Sequence, residues 1–234
     1  MKRAVFDRLQ RLRRDKVPVL LVTALSGARQ SLCDAHFEVV AGDALPEGIE
    51  DTLAEALVSD RSRTVTRAGT QVFVQVFNPP LRMCLVGAVH IAQRLAPMAA
   101  LTGYDVVVID PRRSFAADHR FPAVAMHKVW PDDGLRELKP DARTAIVTLT
   151  HDPKLDDPAL AVALATDAFY IGSLGSKKTH AARLARLKER GFDDAALRRI
   201  HAPVGLNIGA RSPAEIAVSV LAQVTQCLRG GTRP

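Results

Sequence analysis

Residues 85–93 read LVGAVHIAQ, a run of apolar residues that stops at Gly87 and gives way to an amphipathic segment from His90 onward. Against the dinucleotide-binding pattern G-x-G-x-x-G/A the stretch is G-x-V-x-x-A: Gly87 and Ala92 fit, and Val89 replaces the second glycine. A strand before the turn and a helix after it are the context the pattern requires. Asp110 ends the next apolar run about 20 residues on, where an acidic side chain would meet a ribose hydroxyl. Val89 weighs against a nucleotide, because the second glycine lets the backbone approach a pyrophosphate and a β-branched side chain crowds that approach. Ordinary NAD(P) binding is therefore expected to be weak. His90 falls on the first helical turn, where a neutral imidazole could donate to a phosphate.

Outward from this turn, apolar runs at 81–87, 104–110, 144–150 and 168–173 alternate with helical patterns at 90–102, 157–166, 179–190 and 213–228. That alternation predicts βα units on a parallel sheet. The last helix carries start signals: Ser212 at the N-cap, Pro213 at the first position and Glu215 at the third, with Gly230 and Gly231 beyond its end. Ile216, Val220 and Val224 are its expected buried stripe, and Pro97 lies inside the helix after Gly87. Residues 1–77 read differently: an amphipathic helix, the strand VPVLLVTAL, an irregular stretch to about Pro46, a helix at 48–60, and a β-hairpin turning at Ala68 and Gly69. The NPP at 78–80 cannot continue a ladder and marks the boundary. The expected fold is α/β: a Rossmann-like, doubly wound, mostly parallel sheet over 81–234, behind a small N-terminal α+β unit over 1–77.

A second helix start carries more charge. In YIGSLGSKKTHAARLARL, residues 170–187, Gly172 and Gly175 allow unusual turns, Ser176 can cap a helix, and Lys177 and Lys178 follow at once. Each cation there opposes the helix dipole by about 0.3–1 kcal/mol, a penalty that a bound phosphate would reverse. Arg183, Arg186 and Arg190 share one face of this helix, the pattern of a solvated stripe. A third cluster, TLTHDPKLDD at 148–157, leaves a strand end with Thr150, His151 and Asp152 on the edge where open α/β sheets bind ligands.

Composition narrows the classes. The charge of +7 and pI of about 9.7 favour anionic partners. Aromatic residues are only 5% and no nucleic-acid motif is present, so nucleic acid is not expected. The longest apolar run, 17–25, is too short to cross a bilayer. The basic N-terminus has no secretory h-region, which predicts a cytoplasmic protein. Cys33, Cys84 and Cys227 form no CxxC or Cys/His cluster; Cys33, in the polar RQSLCDAH, is the one expected at the surface.

The segments at 87–112, 148–160, 169–187 and 201–224, in this order, resemble the C-terminal Rossmann domain of the xanthine dehydrogenase accessory factor (XdhC/CoxI) family over about residues 72–228. The resemblance implies a cofactor chaperone that binds molybdopterin cofactor or its cytosine dinucleotide as cargo and delivers it to a molybdenum hydroxylase apoenzyme. The matching positions are Gly87, Ala88 and His90 with Val89 between them; Asp110 and Arg112; Thr150 and His151; Gly172, Ser173, Gly175, Ser176 and Lys177; and Gly205, Asn207, Gly209 and Glu215. No residue is assigned a catalytic or metal-ligating role. The chain departs from the family at Val89 and in residues 1–77, which lack the glycine-rich segment and Cys-x-Glu motif. It resembles a short form whose missing motif would lie on a separate partner protein, with a cysteine desulfurase as a further partner and room for a homodimer. The alternative is an NAD(P)-dependent oxidoreductase using His151 as acid or base.

Overall fold

The structure, a computed structural model, describes residues 2–27, 29–112, 114–115 and 118–230, so Gly231 lies outside the described residues. The chain divides into two compact units, Met1–Pro79 and Pro80–Pro234.

The first unit runs α1 (Arg3–Arg14), β1 (Val19–Ala24), β2 (Gln30–Asp34), β3 (Val39–Gly42), α2 (Glu50–Ser59), β4 (Arg63–Arg67) and β5 (Thr70–Phe77). Its strands form an antiparallel sheet in the order β3-β2-β1-β5-β4. Successive side chains of a strand point to opposite faces. Accordingly Val19, Leu21 and Leu32 pack under α1 with Val5, Leu9 and Leu12, while Leu20, Val22, Val72 and Val74 pack under α2 with Leu53 and Ala56. Two expectations are corrected here. The stretch read as irregular up to Pro46 contains β2 and β3. Cys33 is fully buried, because it pairs with Leu20 and shares its face. Burial, with Asp34 beside it, pushes the Cys33 thiol up to about 11, so it is an inert core residue.

The second unit runs β6 (Leu81–Val86), α3 (His90–Leu101), β7 (Tyr104–Ile109), a short 3-10 turn (Asp118–Arg120), β8 (Ala125–His127), α4 (Pro131–Leu138), β9 (Thr144–Thr148), α5 (Pro153–Leu164), β10 (Tyr170–Ser173), α6 (Lys177–Glu189), α7 (Asp194–Leu197), β11 (Ile200–His201) and α8 (Pro213–Arg229). The strand order is β11-β10-β9-β6-β7-β8, with every pairing parallel. This is the doubly wound Rossmann arrangement, and the order reverses between β6 and β9, which places a crevice at their carboxyl ends. Helices cover both faces. Met83 and Leu85 pack against Leu95 and Ala96 of α3 and Val220 and Val224 of α8. Cys84 and Val86 pack against Leu160 and Ala163 of α5 and Leu187 of α6. Each such fully buried aliphatic side chain contributes about 1.5–3 kcal/mol, and burial on both sides explains the unbroken apolar runs.

Caps set the helix ends. Ser212 and Glu215 form the expected capping box on α8, and Gly230 ends it in the left-handed conformation. The helix expected from residue 157 begins a turn earlier, at Pro153, with Asp152 accepting the Lys154 N–H at 2.9 Å. α6 begins at Lys177, directly after the expected Ser176 cap and two residues before the helical pattern at 179–190. Among the described residues no helix is long and apolar enough to cross a membrane.

Candidate functional site

At the carboxyl end of β6 the chain turns at Gly87, whose φ of +105° suits glycine. A Cβ on Gly87 would stand 2.5 Å from Thr150 Cγ2, so this glycine also lets the β6 and β9 ends close on each other at the reversal point. Val89 precedes α3 with an extended backbone (φ −87°, ψ 175°) that any residue adopts, and its side chain packs against the α3 and α8 cluster. Among the described residues no side chain caps this helix, and His90 is exposed at its first position.

Asp110 corrects the expectation of a ribose-binding acid. Its carboxyl is fully buried and accepts four hydrogen bonds. Oδ2 takes the Ala88 N–H and Arg112 Nη2 at 2.8 Å each, and Oδ1 takes the Arg112 N–H and Nε at 2.9 Å each. With about four lone-pair sites on a carboxylate, none remains for a hydroxyl. Burial pushes the Asp110 carboxyl up, but the Arg112 guanidinium and the two backbone N–H groups outweigh it and hold the group below the usual carboxylate range. The Ala88 N–H is thereby withdrawn from any phosphate. What the β7 end presents instead is Arg112, a third exposed, stacked 4.2 Å over the Phe115 ring.

The β9 end is also tied down. Thr150 Oγ1 donates to Asp156 Oδ1 at 2.6 Å, and the His151 N–H donates to Asp156 Oδ2 at 3.1 Å. The Thr150 hydroxyl is therefore a tether for the loop rather than an exposed ligand donor, which corrects the sequence-based placement. His151 itself is exposed and sits in the left-handed region at φ +63°, uncommon for a residue with a side chain. Asp156 is buried, and its carboxyl is pushed up by that burial against the lowering effects of Thr150 and Arg183.

The β10 end divides the expected cluster. Gly172 lies within the strand rather than at a turn. A Cβ there would meet Val204 Cγ2 at 2.6 Å and Tyr170 Cε1 at 2.7 Å, so the glycine makes room for the Tyr170 ring. Ser173 is buried, with its hydroxyl 2.6 Å from Thr148 Oγ1. Gly175 does turn the chain, at φ +147°. Ser176 caps α6, accepting the Thr179 N–H at 3.1 Å, and Lys177 and Lys178 are exposed in a first turn that contains no acid. Asn207 is exposed in the loop before α8, beyond Gly205, where a Cβ would meet Ser219 Oγ at 2.3 Å.

The arginine stripe of α6 is solvated only at its end: Arg190, the C-cap residue, is exposed, whereas Arg186 is half-buried and Arg183 buried. Arg183 is 2% exposed beside Asp156, and Arg186 forks onto buried Asp157 at 2.5 and 3.1 Å. Asp156, Asp157 and Arg183 were missed as a buried charge layer. The available signal was their register: residues 156, 159, 160 and 163 share a stripe on α5, as do 180, 183, 184 and 187 on α6. The turn at Gly87, exposed His90 and His151, Arg112 and the capped cationic start of α6 all stand at the carboxyl edge of this sheet, on either side of its reversal point.

A family model described as the XdhC Rossmann domain matches residues 83–224. The chain belongs to the XdhC Rossmann-domain family. Among the relatives of this XdhC domain, the molybdenum cofactor insertion chaperone PaoD of Escherichia coli K12 is 34% identical over 180 residues, covering 76% of this chain and 50% of PaoD. A Bacillus subtilis 168 protein named as a probable xanthine dehydrogenase subunit is 35% identical over 158 residues, 67% of this chain and 46% of the relative. The XdhC chain thus spans half or less of the curated relatives it matches. A crystal structure described as a xanthine dehydrogenase from Bacillus halodurans superposes with a TM-score of 0.71 at 24% identity, covering 96% of this chain and 66% of that one, a likeness of fold.

Proposed function

We propose that the chain is an accessory factor that binds the molybdenum cofactor at the carboxyl edge of its parallel sheet and delivers it to a molybdenum hydroxylase apoenzyme in the cytoplasm. The observation that carries this reading is the start of α6: a glycine turn, a serine cap and two lysines where the helix dipole favours an anion. Such a start suits the phosphate of molybdopterin or the diphosphate of its cytosine dinucleotide. The uncapped α3 start with His90, Arg112 on its stacked ring and Asn207 would hold the rest, and His151 would face the pterin or metal end. The name of the PaoD relative supports the same role. Residues 1–77 form the smaller domain of this scheme and 81–234 the cofactor-binding domain. The Cys-x-Glu motif, and sulfur handling with a cysteine desulfurase, fall to a partner. An NAD(P)-dependent dehydrogenase is the weaker reading, because Asp110 spends its carboxylate on Arg112 and Ala88.

The test is reconstitution. Cofactor-free molybdenum hydroxylase and molybdenum cofactor are mixed with and without the chain, and recovered activity is measured. The reading predicts more active enzyme, or faster activation, with the chain present. Identical yields and rates would end it.

A further inference from the structure

Arg183 lies in the second turn of α6, and its side chain leans toward the helix start, as helical side chains do. Its Nη2 reaches back to donate to the Leu174 carbonyl at 3.0 Å. The same nitrogen stands 3.6 Å from Asp156 Oδ2, a charge contact longer than a hydrogen bond. Nε and Nη1 are buried and have no hydrogen-bond partner among the described residues. Buried guanidinium donors are ordinarily spent, and an unspent set at a specific place calls for a reason. The place here is specific: Nη1 lies 3.7 Å from where a Cβ of Gly175 would be. Gly175 is half-buried and Ser176 exposed, so the lack of a side chain leaves the guanidinium one thin layer beneath the loop that opens α6.

We propose that Arg183 is an anion-reading residue of the α6 start, taking with its Nε and Nη1 donors, together with the N–H groups of the first turn, one phosphate-type dianion. The inference rests on the reading of the α6 start as the phosphate-holding part of the site and names the buried group that completes it. The charges fit a dianion. Lys177 and Lys178 are exposed in the first turn and Arg183 is buried in the second, three cations to the one Asp156 carboxyl beside Arg183. A forked guanidinium matches phosphate oxygens, and a tetrahedral anion can meet it from one side and the helix N–H groups from another. Asp156 also holds Thr150 and the His151 N–H, so the group that would read the anion packs against the anchor of the β9 loop.

Pyrophosphate is the probe, titrated calorimetrically into the full chain and into Arg183→Met, Arg183→Lys and the double variant Lys177→Ala, Lys178→Ala. Arg183→Met is expected to bind pyrophosphate roughly tenfold more weakly or worse. Its ligand-free melting temperature should fall, since the buried Asp156 carboxyl loses its cationic partner, so binding is compared at a temperature where both proteins are folded. Should Arg183→Met not fold, Arg183→Lys carries the test: it keeps the charge, loses the fork and should bind nearly as weakly. No measurable binding by the wild-type chain, or equal affinity in the Arg183 variants, overturns the proposal. The cofactor reading fails separately. Arg183-dependent pyrophosphate binding in a chain that takes up no molybdopterin keeps this inference and ends that reading, and cofactor uptake indifferent to Arg183 does the reverse.

Discussion

Replacing Gly87 by alanine tests the reversal-point turn on which the site is built. Two costs can be worked from the structure. At φ +105° a side chain is forced into a region L-residues avoid, a cost of about 1–3 kcal/mol. The new methyl also meets Thr150 Cγ2 at 2.5 Å. Thr150 cannot simply rotate away, because its Oγ1 is bonded to Asp156 at 2.6 Å, and losing a hydrogen bond to a buried carboxyl costs about 1.5–3 kcal/mol. The sum is about 2.5 kcal/mol at the low end, or a fall in melting temperature of roughly 5–10 °C for a chain of this size. Calorimetric unfolding of the whole chain reads it. Thr150→Ser deletes the clashing methyl and keeps the hydroxyl. The double variant Gly87→Ala, Thr150→Ser should therefore recover about 1–2 kcal/mol relative to the sum of the singles. If Gly87→Ala costs less than about 0.5 kcal/mol, or the pair shows no coupling, the account of the turn is wrong.

Three further outcomes follow from the same geometry. Asp110→Asn should destabilise by about 2 kcal/mol at neutral pH by weakening its hold on Arg112 and Ala88. Because the folded carboxyl is held below its usual range, its contribution is present above about pH 4 and lost as pH falls through the lower folded value, so wild type and variant should converge in acid denaturation curves. His180 is lowered, first by burial and then by Arg183. A histidine kept neutral in the fold gives stability above about pH 6.5 that drains as pH falls through its folded value, and His180→Leu should flatten that slope in melting temperature against pH. Lys177→Ala with Lys178→Ala should leave the fold as stable or up to about 1 kcal/mol more stable, by relieving repulsion from the helix dipole, while weakening anion binding. A loss of stability on chemical unfolding would contradict that.

The sheet and the best-signalled helices were legible because their causes are local. Val86, Gly87 and Ile91 announce a strand, a turn and a helix in sequence, and Ser212, Pro213 and Glu215 spell out a cap. Elements without a local cause were missed: β8 and β11 span only Ala125–His127 and Ile200–His201, and β3 is four residues with a register shift against β2. Gly134 hid α4, since glycine reads as a helix breaker, yet here a Cβ would strike Ile109 Cγ2 at 2.9 Å. Charge was the poorest guide. Arg183 and Asp156 are 27 positions apart in sequence, and only the packing of α6 on α5 turns two polar letters into one buried pair. Asp110 was placed rightly at a strand end, but its partner Arg112 decides what that carboxylate is free to do.

The central claim, that this carboxyl edge holds the molybdenum cofactor, is tested most directly by what the protein carries. The chain and its Lys177→Ala, Lys178→Ala variant would be isolated from a molybdenum-replete host, oxidised, and assayed for the fluorescent pterin product per mole of protein. The account predicts pterin in the wild-type chain, or uptake when molybdopterin is supplied, and a clear reduction in the variant. A wild-type chain that carries none and takes none up would contradict it.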